Sequence, residues 1–296
     1  MMRSNEDTED TTYLERRIRR DDETTDGYSA CRRCRYKGAQ QPQSRTRHNL
    51  NLIMNIAWFS CGVSSAIACW LCRSEIDEIH YQHVEDQHPD SLRFLHDVEK
   101  LISKEIVIHR SPYKTVDCVC RTFGFLKGPH GARCTDILKR RERKAWEREH
   151  PGRHTYFWGL DCNERRRVDG IVRAMPDFDH RFPLIEQNMT KQDAHELANR
   201  LGLKRPVMYD MGYENNNCIG CIKGGIGYWN KIRKDFPEVF ASRAKLERDL
   251  GRFILKDGDG NPLWLDELDK FKGRAPKEIN NMECGIMCEI ALRKYE

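Results

Sequence analysis

The chain has 296 residues, of which 39% are hydrophobic and 33% charged, with a formal net charge of +5 and a mean hydropathy of -0.78. That length allows one large core or two small domains. The modest positive charge favours anionic ligands without requiring nucleic acid, and no apolar run approaches the roughly 18 residues that a membrane-spanning helix needs.

Residues 1–52 differ from the rest. Met1 to Asp26 is almost entirely charged or small polar, and Gly38 to Asn49 is rich in Gln, Arg and Ser. Such a segment cannot bury enough apolar surface to order itself. It is expected to be a disordered extension, either an accessory tail or the product of a start codon placed too early. Its Cys31-Arg32-Arg33-Cys34 has half a zinc-site spacing and no second pair nearby. The acidic, polar start does not read as a signal peptide. The expected location is therefore cytoplasmic, where the 13 cysteines are metal ligands or catalysts rather than disulfides.

From Asn55 the pattern alternates between strands and helices. Ile56 to Phe59 is a short apolar run, as in a buried parallel strand. Gly62 and its neighbouring serines make a turn, and Ala66 to Cys72 starts a helix. Glu75 to His83 reads as a second strand with its flanks. Ser91 to Leu101 carries Leu92, Leu95, Val98 and Leu101 at helical spacing, and Glu105 to His109 is a strand. Ile137 to Arg148 predicts a basic helix, and Thr155 to Leu160 another strand. Thr190 is a good N-cap for a helix over Lys191–Leu201, which Gly202 ends. Strands alternating with helices imply an α/β fold with a doubly wound, mostly parallel sheet covered on both faces. The expected division is an α/β nucleotide domain over 53–223 and a mostly helical section over 224–296.

Four segments carry the chemistry. The first is the loop Ser60-Cys61-Gly62-Val63-Ser64-Ser65 between a strand and a helix. Backbone N–H groups and the helix dipole make such a loop an anion site, unless it is an ordinary βα turn. It resembles the PP-loop of the adenine nucleotide alpha-hydrolase-like superfamily, in which ATP pyrophosphatases carry Ser-Gly-Gly-x-Asp-Ser. Ser60, Gly62 and Ser65 match, and Ser64 replaces the aspartate that helps handle magnesium and pyrophosphate. That departure favours the phosphoadenylyl-sulfate (PAPS) and adenylyl-sulfate reductase branch.

The second and third segments are Cys134 with Lys139, and Tyr209-Asp210-Met211-Gly212-Tyr213 running into Cys218-Ile219-Gly220-Cys221. A CxxC spacing lets two thiolates reach one metal or cluster, or form a redox dithiol. The second segment resembles that family's Cys-Cys-x-x-x-Lys, and the third its Tyr-Asp-x-Gly-Tyr-x-Ser-Ile-Gly-Cys-x-x-Cys. The resemblance implies a 4Fe-4S cluster on Cys134, Cys218 and Cys221. Thr135 replaces one expected ligand, and Cys288, Cys284, Cys120 or a small exogenous ligand is available as the fourth.

The fourth segment, Glu283-Cys284-Gly285-Ile286-Met287, resembles the family's Glu-Cys-Gly-Ile/Leu-His motif, with Met287 in place of histidine. There the cysteine attacks the sulfate sulfur, which makes Cys284 the expected nucleophile. Lys139 and Arg140 are the expected phosphate partners, unless they form a solvated face. Asp161 stands where the family carries an arginine, so no arginine is carried over. The implied substrate is an adenine nucleotide (PAPS, adenylyl sulfate or ATP), and the implied electron donor a thiol protein such as thioredoxin. Two alternatives stay open. One is a PP-loop sulfurtransferase that uses ATP to thiolate nucleic acid or another acceptor. The other is a non-catalytic nucleotide-binding protein.

Overall fold

The computed structural model describes residues 53–128 and 131–273. Cys284, Cys288, the extension over residues 1–52 and the last part of the 224–296 section lie outside them.

Five strands, β1 (Asn55–Phe59), β2 (Glu78–His83), β3 (Ile106–Arg110), β4 (Thr155–Phe157) and β5 (Asp179–Arg181), form one sheet. Their order is β3-β2-β1-β4-β5 and every pairing is parallel. Parallel neighbours need crossover connections, and these supply helices to both faces. β1 shows the result residue by residue. Ile56 and Trp58 pack with Trp146, Tyr156 and Ile171 in one core cluster. Ala57 and Phe59 pack with Ile67, Ile79 and Phe94 in another. Alternate side chains of one strand thus feed opposite layers. The fold is the doubly wound α/β class expected from the alternating pattern.

The helices that matter for the site are α1 (Val63–Leu71), α2 (Asp90–Ile102), α3 (Val116–Phe123), α4 (133–149), α5 (Arg165–Ala174) and α6 (Lys191–Arg200). α6 has the N-cap read from the sequence: Thr190 Oγ1 accepts from Asp193 N at 3.1 Å, and Asp193 Oδ2 accepts from Thr190 N at 2.8 Å. α4 starts earlier than its basic run suggested, with Arg133–Thr135, and continues through a π-helical Asp136–Arg140 into Arg141–Glu149. The strand expected over Thr155–Leu160 stops at Phe157. Trp158 N still donates to Arg181 O at 3.0 Å, and the chain then turns away at Gly159.

α7 (Ile226–Asp235) and α8 (Pro237–Leu250) open the C-terminal section. They close a third core cluster that contains Val119, Cys120, Cys134, Cys218, Cys221, Trp229 and Phe240. A two-stranded ribbon follows, pairing Leu255–Lys256 with Pro262–Leu263. Two of the histidines, His109 and His154, pack or bond within the fold. His109 Nε2 lies 2.8 Å from His80 Nδ1, and burial pushes His80 down to about 3, so it is neutral. His154 Nδ1 accepts from Met54 N at 3.2 Å.

Candidate functional site

The strand order reverses between β1 and β4, because the chain runs outward to β3 and then crosses back. In open α/β sheets such a point leaves a crevice beyond the carboxyl ends of the strands. A cleft lies there. Ser60, Gly62, Ser64 and Ser65 line it from the loop after β1, and Trp158, Gly159 and Leu160 from the end of β4.

The loop has a defined internal structure. Cys61 takes a left-handed backbone with φ 59, which few non-glycine residues adopt. Ser60 Oγ and Ser65 Oγ lie 2.9 Å apart, and Ser65 Oγ donates to Gly62 O at 2.9 Å. α1 begins at Val63 without a side-chain cap from Gly62. Val63 N donates to Tyr209 Oη at 3.3 Å. A Cβ at Gly62 would stand 3.3 Å from that same oxygen, so the position has little room for a side chain.

The six loop residues do not face the same way. Cys61 is 0% exposed and Val63 is equally buried; both belong to the core cluster under the sheet. The Cys61 thiol points to Ser91 O at 3.6 Å, and burial pushes it up to about 12. It is a neutral packing group, and any contact Cys61 or Val63 makes with a ligand falls to the backbone.

Cations face the loop across the cleft. Lys139, Arg140 and Arg143 reach it from α4, and Lys191 from the start of α6. The π-helical turn widens α4 at Lys139 and Arg140, a distortion common at functional positions. Arg140 Nε donates to Asp136 Oδ1 at 2.7 Å, and Arg143 pairs with Glu147. Lys191 Nζ donates to Glu214 O at 2.6 Å and to Asn215 Oδ1 at 2.7 Å. Four positive side chains and the amino end of a helix thus converge on one crevice. The arrangement can neutralise a multiply charged oxyanion.

The arginines that follow β4 do something else. Asp161 and Glu164 form a capping box: Asp161 Oδ1 accepts from Asn163 N at 2.8 Å, and Glu164 Oε2 from Asp161 N at 3.2 Å. Arg167 pairs with Glu164, and Arg165 Nη2 donates to Ile185 O at 3.3 Å. Asp161 is therefore a helix cap.

Cys134, Cys218 and Cys221 are buried in the third core cluster, together with Cys120. Tyr228 Oη closes the CxxC turn, accepting from Cys221 N at 2.9 Å and donating to Cys218 O at 3.2 Å. Gly220 takes φ 67 within it. Among the described residues, no group of three or more His, Cys, Asp or Glu side chains is placed to hold a metal ion.

Sequence reading missed several cleft residues. Arg143 was only part of a basic run and Tyr209 only part of a motif, while Lys191 had no role beyond opening a helix. Asn215, Asn216 and Asn217, which also line the cleft, had no signal except their place before Cys218.

Gly159 shows how tightly β4 passes the loop. A Cβ there would lie 2.4 Å from Ser65 Cα and 2.6 Å from Ser65 N, both backbone atoms. Gly159→Ala must push the start of α1 away from β4. We expect it to cost about 1–3 kcal/mol of stability by overpacking and to weaken anion binding together with it. Urea denaturation and a pyrophosphate titration check both parts.

No protein-family model matches the chain, and no curated protein matches it. Among solved structures the chain is similar to the crystal structure of phosphoadenylyl-sulfate (PAPS) reductase from Candida auris, in complex with phosphate. The TM-score is 0.40 and the sequence identity 9%, over 55% of this chain and 81% of that one. The class that the fold and cleft define is thus a doubly wound α/β protein with a cationic crevice at its switch point.

Proposed function

We propose that the protein is a PAPS reductase-like enzyme that binds a sulfonated adenine nucleotide in this cleft and cleaves it through Cys284. The observation that carries the reading is the convergence of the Ser60–Ser65 loop with Lys139, Arg140, Arg143 and Lys191 on one crevice. A nucleotide phosphate meets the backbone donors there, and its sulfate end needs a thiolate. The Glu283–Met287 motif supplies that thiolate in sequence terms. In the proposed step the Cys284 sulfur bonds to the sulfate sulfur, the bond from that sulfur to the bridging oxygen breaks, and the nucleotide leaves with both bonding electrons. A dithiol donor such as thioredoxin then reduces the enzyme thiosulfonate. It releases sulfite and is itself oxidised to a disulfide.

The test combines binding and turnover. The wild type is expected to bind AMP and to release sulfite from PAPS or adenylyl sulfate when a dithiol is present. Lys139→Ala with Arg140→Ala is expected to weaken AMP binding about tenfold to a hundredfold, since a hydrogen bond to a charged group is worth about 1.5–3 kcal/mol. Pyrophosphate release from ATP without sulfite release would select the sulfurtransferase reading. Binding of AMP without either product would select a non-catalytic one. No binding of AMP by the wild type would sink the proposal.

A further inference from the structure

The segment just before the CxxC turn touches both halves of the cleft. Asn215 Oδ1 accepts from Lys191 Nζ, so one asparagine holds a cation in place. The next one holds the loop. Asn216 Nδ2 donates to Cys61 O at 2.8 Å and to Ser91 Oγ at 3.0 Å. Cys61 is the left-handed corner of the loop, and its thiol contacts Ser91 O at 3.6 Å. One amide group therefore ties the strained corner of the loop to the first turn of α2.

Asn216 is 5% exposed, although it borders the cleft. Its Nδ2 is fixed in identity, because Cys61 O can only accept. Its own Oδ1 is buried without a hydrogen-bond partner among the described residues. A buried acceptor left without a partner is costly and calls for an explanation. The side chain keeps two donor bonds to the loop and its support while its oxygen goes unsatisfied. A left-handed non-glycine corner is likewise a conformation that the surroundings must enforce.

We infer that Asn216 is the positioning residue of the anion loop: its amide holds the Cys61 corner so that the backbone of Gly62 to Ser65 faces the cations. This rests on the reading of the cleft as an anion site. Asn216 sets the loop and does not itself bind the anion. An apolar side chain of similar size leaves Cys61 O and Ser91 Oγ without their donor and frees the corner to relax.

The experiment uses the full chain, Asn216→Leu and Asn216→Gln, with AMP and inorganic pyrophosphate as probes. Asn216→Leu is expected to weaken both probes about tenfold. Amide hydrogen exchange over residues 60–66 should rise at least tenfold, while exchange in β2 and β4 stays at the wild-type rate. Asn216→Gln keeps the amide on a longer arm and should recover part of both losses. Wild-type affinity and loop protection in Asn216→Leu would overturn the inference. A uniform rise of exchange across the whole sheet would also overturn it, because that pattern belongs to a residue that only stabilises the fold. A wild type that binds neither probe would defeat the anion-site reading alone, and the loop exchange would still decide the role of Asn216.

Discussion

Cys284→Ser is expected to abolish sulfite release while AMP still binds with wild-type affinity. Serine is nearly the same size as cysteine, but its hydroxyl is a far weaker nucleophile than a thiolate. The loop, cations and asparagines that line the cleft lie between Trp58 and Asn217, so the substitution removes none of those contacts. Several other thiols are poor rivals for the role. Burial pushes Cys61, Cys69 and Cys120 up to about 12, and Cys72 to about 11. At neutral pH a thiol of that strength is thiolate only about once in ten thousand molecules or less. Turnover that survives Cys284→Ser would remove the nucleophile assignment. Turnover and AMP binding lost together would give Cys284 a structural role instead. Cys288→Ser in parallel separates attacker from resolver: with no external dithiol, a resolving Cys288 lets the wild type release one sulfite per chain as a Cys284–Cys288 disulfide forms, whereas the variant should release one nucleotide per chain and no sulfite.

The parts of the fold that the sequence made legible are those where one force dominates. Ile56 to Phe59 is buried on both sides, so its apolar run reads as a central strand. Thr190 and Asp193 announce their helix because the cap chemistry is local. β5 was not legible: Asp179-His180-Arg181 is a polar edge strand whose place depends on pairing with β4. The π-helical turn in α4 is equally silent, since a helix period differs little over five residues.

The site divides the same way. Ser60, Gly62, Ser64 and Ser65 could be picked from a strand–loop–helix pattern. The inward turn of Cys61 and Val63 could not, because it follows from the left-handed corner and from Asn216, 155 residues away in sequence. Arg143 shares α4 with Lys139 and Arg140, but Lys191 joins them only through tertiary packing. A sequence shows a charge run but not which of its members faces the crevice.

The second large effect is expected at Arg243, which is 3% exposed. Its guanidinium pairs with Asp86, and its Nε donates to Gly220 O at 3.4 Å. Asp86 in turn accepts from Val116 N at 2.6 Å through Oδ2 and from Ile219 N at 2.8 Å through its backbone carbonyl. One buried ion pair thus joins the loop after β2, the start of α3, the CxxC turn and α8. Arg243→Ala leaves the partly buried Asp86 carboxylate without its cation, and breaking a fully buried pair costs about 3–5 kcal/mol, which sets the upper bound here. We expect that loss in urea denaturation, together with faster amide exchange over residues 218–221. The cost arises mainly from the stranded charge, so neutralising the partner should return part of it. Asp86→Asn with Arg243→Met keeps an acceptor for Val116 N and fills most of the volume. It should therefore lose less stability than Arg243→Ala alone. If the double variant is as unstable as the single one, packing by the arginine stem outweighs the charge. A loss below about 1 kcal/mol in Arg243→Ala would mean that the pair does not clamp the CxxC turn.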